Sequence, residues 1–596
     1  MSADRFPPAP ATEADTAPLR EYAYTHARTV GSTGYFSCEP ATPLPLDAAL
    51  AALEATPEDD FLREHLLRRL DALEATALAE LAASLEGPGA RPALAALLRE
   101  AARLFPHVRE AVGPDVDVHT AEAPRPADEA QADTAVAWGE LFHANLAGHR
   151  PLPRLDESDL PLPHDAAALA DAMNAVTRPD ARDLLASAHK RLAARAWQDA
   201  PRPPAEETYA RAVAALERAG LLAGLEMRHE ASLSPIALLR NWHIAVSVRN
   251  GRHAHALRGT ATAYGRGLSL AAARASCAME IVERASAYAS LGPGGASGHG
   301  EVLGRRAPLH LRRATATELT QEGLRLVRVG RVPDDAPLHW VTARDARGGE
   351  ALVPLQSVLL FCNADEPRLA TSPGSTGLAS GNSPAEARLA ALMEVIERDA
   401  DATTPFCRHA CFTLISRDPR LQGLLDDYAA RGIRVQFQDI TSEFGIPVYR
   451  AFVTARDGSV ATATGAGLSG ARAALSALTE TPWPYSWATP APHGVASGPG
   501  LAGLPRRELE SLRDWTLPTP AASLALLESV LAAHGREVFS VDLTRADLDL
   551  PVARVFVPGL EPHADFDAAT PPAPRLFARQ VLLNKGGDAD HPLFRA

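Results

Sequence analysis

Cysteine is scarce in this chain. Cys38, Cys277, Cys362, Cys407 and Cys411 are scattered over 596 residues, an odd and irregular set that excludes a disulfide framework and points to a reduced compartment. Aromatic residues make up only 5 % of the sequence. No apolar run approaches the ~20 residues needed to span a bilayer. The opening MSADRFPPAPATEAD has no basic start followed by an apolar stretch, so no secretion signal is read. Positive charge is in deficit, with 59 Lys and Arg against 73 Asp and Glu and a net charge of -14. A mainly electrostatic nucleic-acid binder would carry the opposite balance. A GxxxxGK[ST] phosphate loop is also missing, which removes the P-loop reading. These absences lead us to expect a cytoplasmic protein that acts on neither membranes nor nucleic acid.

What is present is a globular composition, 46 % hydrophobic and 22 % charged, and enough length for several domains. Residues 1–20 are rich in Pro and Ala and read as a flexible N-terminus. From 21 to 205 the pattern is helical, broken by Pro-rich joints, and an all-helical N-terminal region is expected. Helix Glu206 to Leu222 then opens a different grammar. Trp242 to Val248, Ala256 to Tyr264, Leu324 to Val329, Leu338 to Ala343 and Leu352 to Cys362 read as strands. So do Ile433 to Asp439, Pro447 to Thr454, Val538 to Leu543 and Ala553 to Pro558. Strands that feed helices imply an α/β (mixed α+β) domain over 206–563 with internally repeated strand-helix units. Residues 564–596 read as a less regular tail. Ser486 to Leu504, rich in Gly and Pro, reads as a mobile loop or lid.

The chain says one thing twice. GLSLAAARASCAMEIVER from Gly267 and GNSPAEARLAALMEVIER from Gly381 align without gaps. The copies share Gly267/Gly381, Ser269/Ser383, Met279/Met393, Glu280/Glu394, Glu283/Glu397 and Arg284/Arg398. An internal repeat marks one supersecondary unit used twice. Glu-x-x-Glu-Arg alone is usual on a solvated helix, but two copies in one register, each behind a Gly-containing turn, are not. Helical spacing puts Ser276, Glu280, Glu283 and Arg284 on one face, and Asn382, Glu386, Glu394, Glu397 and Arg398 on an approximately similar one. Carboxylates gathered in a partly buried site repel one another and resist ionisation. A divalent cation relieves them. Hard oxygen ligands favour Mg²⁺, which usually arrives with phosphates, and arginine forks suit phosphate oxygens. The turns into the helix N-termini favour anions.

The segments SCAMEIVER and TGLASGNSPAEARLAALMEVIERDA resemble the two signature segments of the YcaO family. GIPVYRAFVTA, the GAGLSGARAALSALTE helix and VFVPGLEP follow in that family's order, so the resemblance covers roughly residues 206 to 563. It implies a mixed α/β domain that binds ATP and Mg²⁺ through glutamates on helices. By position, it implies metal ligation by Glu280, Glu283, Glu394 and Glu397. Arg266, Ser276, Arg284, Asn382, Glu386 and Arg398 are implied on the nucleotide side, with Asn382 where Gln is frequent. Glu480 lies on a helix where the family often continues Glu-Ala-x-Gln-x-Arg, whereas this chain continues Thr481-Pro482-Trp483-Pro484. No segment near Leu239 to Val248 matches the family's opening strand. The end, His591 to Ala596, is not the Pro-x-Pro-x-Pro tail of many azoline-forming members.

The implied activity is ATP-dependent activation of a peptide or protein backbone amide. A nucleophile adds to the carbonyl, the resulting oxygen is phosphorylated, and phosphate leaves. The nucleophile decides between azoline, thioamide and amidine. Another branch is named as an accessory factor of ribosomal protein S12 methylthiotransferase. The expected partners are a peptide or protein substrate, a sulfur-delivery or leader-peptide-binding protein, and a second copy in a homodimer. The rival from another class is a non-catalytic, nucleotide-binding scaffold that recruits a partner. Elsewhere, Cys407-Arg408-His409-Ala410-Cys411 lacks a second ligand pair for zinc. His243, His299 and His493 are single imidazoles with no telling spacing.

Overall fold

The computed structural model describes residues 19–27, 35–86, 91–113, 129–155, 158–178, 181–293, 300–360, 363–369, 372–454, 460–483, 503–564 and 571–585. The expected lid, Cys362, His299, His493 and the chain end at His591–Ala596 lie wholly or almost wholly outside these residues.

Three sheets carry the domain, and a glycine-led helix leaves a strand of each. The eight-stranded sheet is built on a long hairpin, Ile236–Asn250 and His253–Gly267, in continuous antiparallel register from Ile236 opposite Gly267 to Asn250 opposite His253. The first glycine-led helix, Leu270–Ala287, starts where that hairpin ends and folds back on it. The six-stranded sheet runs Glu350–Pro354, Leu338–Asp345, Phe539–Asp542, Val552–Phe556 and Leu378–Ser380, with Arg312–Ala314 paired to Leu338–Asp345. Its last strand feeds the second helix, Pro384–Thr403. The five-stranded sheet runs Val460–Ala466, Val448–Thr454, Gln436–Asp439, Cys411–Ile415 and Arg506–Glu508. Val460–Ala466 feeds the third helix, Gly470–Glu480.

The unit is therefore used three times, not two. Gly267, Ser269, Ala273 and Glu280 in the first copy match Gly381, Ser383, Ala387 and Glu394 in the second. They match Gly467, Ser469, Ala473 and Glu480 in the third. The backbone explains part of this. A Cβ on Gly265 would lie 2.1 Å from the Ala273 carbonyl oxygen, and one on Gly465 would lie 2.4 Å from the Ala473 oxygen. Each of these strands crosses its own helix so closely that only glycine fits. Ser269 and Ser383 then cap their helices, accepting from the N–H groups of Ala272 and Glu386.

Three expectations are corrected, the third at Leu324 to Val329. The first 200 residues are not all-helical. Arg20–Ala27 lies parallel to His253–Gly267 and pairs antiparallel with Tyr35–Pro40, extending the eight-stranded sheet. Tyr22 and Tyr24 are buried there at a spacing of two, a strand signal inside a stretch dominated by helices. The C-terminal tail is also more regular than its composition implies, since it contains the helix Pro574–Lys585.

The helices between Leu46 and Ala193 spread over the sheet domain. Leu50, Leu62, Leu66 and Leu98 share one core with Trp242, Ile244, Leu257 and Ile281. Trp138 and Phe142 meet Phe577 of the C-terminal helix edge-on, at 5.2 and 5.3 Å between ring centres. Leu185 and Leu192 join Leu392, Ile396 and Leu527. Leu324 to Val329 forms no strand, only a bridge from Leu326 to Leu352.

Candidate active site

The three repeated helices bring their acids within electrostatic reach of one another. Ala278, Ile281, Val282, Leu392, Val395 and Ile396 are buried, so the opposite faces, with the glutamates, turn to the cleft. Solvent reaches these acids only in part. Their side-chain exposures are 27 % for Glu280, 16 % for Glu283, 26 % for Glu394 and 13 % for Glu397.

Burial is the first cause of the raised carboxyl values of Glu280, Glu283 and Glu397. It pushes the Glu283 carboxyl up to about 8, with the neighbouring charges of Glu394 and Glu280 adding to the rise. It pushes Glu397 up to about 7, helped by Glu480 and Glu394. Glu280 and Glu480 are raised for the same reason, with Glu394 and Glu280 acting on Glu480. Glu394 thus acts on Glu283, Glu397 and Glu480 alike and stands at the hub of the cluster.

Backbone donors fix the carboxylates. Tyr264 N–H donates to Glu280 Oε2 at 2.7 Å, and Gly377 N–H to Glu394 Oε2 at 3.1 Å. Glu397 accepts from Thr464 Oγ1 at 2.7 Å and from Ala466 N–H at 3.0 Å. The last two donors belong to the strand of the third copy, so one copy orients the acid of another. The first two helices are joined as well, because Ser380 Oγ donates to the Met279 carbonyl at 2.8 Å.

Cations surround the acids without closing on them. Arg284 stands 3.7 Å from Glu280 and 3.6 Å from Glu283, and Arg398 stands 3.7 Å from Glu394 and 4.0 Å from Glu397. Arg266 lies within electrostatic reach of Glu280 and Glu480. Its Nε is buried without a hydrogen-bond partner. Ser276 is exposed one turn before Glu280. Asn382 and Glu386 sit apart from this centre. Glu386 is about 12 Å along the helix from Glu394, at 1.5 Å per residue. It is buried, receives the Asn382 N–H at 3.1 Å, and pairs with Arg202 Nε at 2.8 Å. Thr208 Oγ1 and Arg211 Nη2 also hold Asn382.

The structure adds one residue, Arg554, and gives a place to another, Glu480, that the sequence only half marks. Glu480 is the third-copy equivalent of Glu280 and Glu394, and the register of Gly467 and Ser469 is the signal that finds it. Arg554, on Val552–Phe556, is fully buried beside Glu394, Glu283 and Arg284, and burial lowers its guanidinium to about 10. It donates to the carbonyls of Ser357 and Gly374, at 3.1 and 2.7 Å, and leaves Nη1 without a partner. Nothing in the apolar text of VARVFV marks it.

Among the described residues, no three His, Cys, Asp or Glu side chains form a ready-made metal cage. Mg²⁺ needs no such cage, since it keeps waters and takes one or two carboxylates together with phosphate oxygens. Carboxyls raised by burial, loosely paired arginines and an unpartnered Arg266 Nε fit a cation carrying an anionic ligand. Cys407 and Cys411 show no such fit. The Cys411 thiol donates to the Cys407 carbonyl at 3.3 Å, and burial pushes it up to about 12.

Comparison with known proteins settles the family. The model of the YcaO cyclodehydratase family, described as ATP- and Mg²⁺-binding, matches residues 264–482 and 486–561. An uncharacterized protein of Methanothermobacter thermautotrophicus is 30 % identical over 328 residues, 50 % of this chain and 81 % of that protein. The chain belongs to the YcaO family.

A protein of Rhizobium leguminosarum bv. trifolii, encoded in the tfuA 3' region, is 30 % identical over 243 residues, 36 % of this chain. This YcaO chain spans about half of that relative, 53 % of its length. Among solved structures, YcaO from Methanopyrus kandleri bound with AMPPCP and Mg²⁺ aligns with a TM-score of 0.42 and 21 % identity. That alignment covers 60 % of this chain and 91 % of the other. A heterocyclase in complex with substrate and cofactor aligns at 0.45 and 17 %, covering 62 % and 54 %. ATP and Mg²⁺ are the cofactors of the family.

Proposed function

We propose that this YcaO protein uses ATP and Mg²⁺ to phosphorylate, and so activate, a backbone amide of a peptide or protein. The observation that carries the reading is the clustering of Glu280, Glu283, Glu394, Glu397 and Glu480 from three repeated helices, with Arg284 and Arg398 beside them. A structural helix contact gains nothing from five half-desolvated carboxylates.

In this reading Glu280, Glu283, Glu394 and Glu397 hold Mg²⁺, with Glu480 completing the set. Arg266, Ser276, Arg284 and Arg398 meet the triphosphate, and Asn382 and Glu386 hold the nucleotide's far end. Bound Mg²⁺ supplies charge neutralisation for phosphoryl transfer, which depends chiefly on positioning and electrostatics. The backbone donors from Tyr264, Gly377 and Ala466 keep the acids in place before anything binds, so little reorganisation is required. Arg284 and Arg398 are always charged and stay 3.6 Å or more from the acids, which leaves their donors available to phosphate oxygens.

The product follows from the nucleophile: azoline, thioamide or amidine, with service as an accessory factor of S12 methylthiotransferase as a further form. A sulfur-delivery or leader-peptide-binding protein and a homodimer belong to the same reading, as does a cytoplasmic setting. Among the described residues, no helix is long and apolar enough to cross a membrane. The test is phosphate release from ATP with peptide added. Release that depends on both peptide and Mg²⁺ supports the enzyme. A stable partner complex with no turnover supports the scaffold instead.

A further inference from the structure

The second helix, Pro384–Thr403, supplies Glu394 and Glu397 from its front. Its back is pinned by ion pairs: Arg388 to Glu528 at 2.6 Å, Asp401 to Arg450 at 2.9 Å, and Asp399 to Arg575. Only at Asp399 is the acid completely buried. Asp399 follows Arg398 directly, and at 100° per residue it points away from the cleft face.

Its partners come from two segments distant in sequence. Both amino groups of Arg575 donate to the Asp399 carboxylate, Nη1 at 2.8 Å and Nη2 in a closer contact. Glu561 N–H donates to Asp399 Oδ1 at 2.8 Å, and Arg575 Nη2 also reaches the Gly559 carbonyl at 3.1 Å. Arg575 Nη1 donates to Glu443 at 3.1 Å, and Arg579 joins Glu443 to Thr404. A forked guanidinium on a fully buried carboxylate fixes direction as well as distance.

We infer that Arg575 is a positioning residue for the metal-binding face of the second helix, acting through Asp399. The C-terminal helix Pro574–Lys585 and the Gly559–Glu561 turn grip that helix from behind, so its glutamates meet the cleft at a fixed rotation and depth. This rests on the reading of Glu394 and Glu397 as Mg²⁺ ligands, and it assigns a functional task to a helix outside the matched family segments.

The test compares Arg575→Met, Arg575→Lys and Asp399→Asn with Arg579→Met, which loosens the same network without touching Asp399. Two quantities are read: hydrogen exchange of amides 394–403 in nucleotide-free protein, and Mg²⁺ affinity by calorimetry at saturating ATP. The expected result for Arg575→Met and Asp399→Asn is faster exchange and an affinity about tenfold weaker, the usual effect of losing a residue that orients a ligand. Arg579→Met lowers the melting temperature but leaves affinity within about twofold of wild type, as expected for loss of stability alone. If Arg575→Met matches Arg579→Met in both quantities, the inference is overturned. If Arg575→Met does not fold, Arg575→Lys decides, because it keeps the charge and loses the fork. Exchange and affinity at wild-type values in that variant overturn the inference equally. Absence of Mg-ATP binding in wild type would sink the functional reading, while exchange in the variants would still decide the positioning role.

Discussion

Thr464 donates its hydroxyl to Glu397 at 2.7 Å, from the strand of the third repeat to the helix of the second. The contact makes the cleft a joint product of the copies. Thr464→Val keeps shape and burial and removes the donor. Mg²⁺ affinity at saturating ATP is expected to fall about tenfold with little change in melting temperature, measured by calorimetry beside thermal unfolding.

Glu480 is expected to behave as a member of the acid set. Glu480→Gln removes a charge that raises Glu397, so the Glu397 carboxyl titrates lower in the variant. Carbon-13 carboxyl NMR across pH should show that shift. Mg²⁺ affinity should fall by about tenfold or more, as for loss of a group that shapes the site.

Stability should depend on pH in a defined direction. Folding raises Glu283 to about 8 and Glu397 to about 7 from an ordinary carboxyl value of 4.5. The folded state therefore binds more protons than the unfolded chain between those limits, and ∂ΔG/∂pH is negative there. The contribution is fully present below 4.5 and is lost as pH rises through 8. Melting temperature of the free protein should drop across this window. Stabilisation by Mg²⁺ with ATP should grow over the same range, because cation and protons compete for the same oxygens. A free-protein melting temperature that stays flat from about pH 5 to about pH 8.5 would contradict this.

The close crossing of strand and helix gives a steric prediction. Gly465→Ala places a methyl group 2.4 Å from the Ala473 carbonyl oxygen. Either the strand or the third helix has to move, at a cost of about 1–3 kcal/mol or more. Urea unfolding measures the loss, and Mg-ATP binding should weaken with it because Thr464 and Ala466 flank this glycine.

Much of the acid cluster was legible in the sequence because the repeat carried its charges in register. Helical periodicity puts Glu280, Glu283 and Arg284 on one face and Glu394, Glu397 and Arg398 on another, and the fold brings the two faces together. Glu480 was half legible. Pro482 ends the third helix before a second Glu and an Arg appear, so the match to the other copies looked broken although Gly467, Ser469 and Glu480 hold the register. Glu386 shows a limit of periodicity, because the i,i+4 rule carries no information about Arg202, which comes from a Pro-rich joint and pairs with it. Arg575 and Arg579 were invisible for the same reason, since their acid partners are distant in sequence, and so was Arg554, whose carbonyl partners at Ser357 and Gly374 are distant too. The strands that carry Tyr22 and Cys38 are short and sit beside a long helical text. The strand that accepts them into the sheet, His253–Gly267, lies far along the chain.

The reading stands or falls on whether the repeated glutamates form one Mg-ATP site. Calorimetric titration of ATP in the presence of Mg²⁺, on wild type and on a Glu394→Gln, Glu397→Gln double variant, tests it most directly. The expected result is saturable binding to wild type and loss of binding in the double variant, with the fold retained by circular dichroism. Equal binding to the two proteins would contradict it.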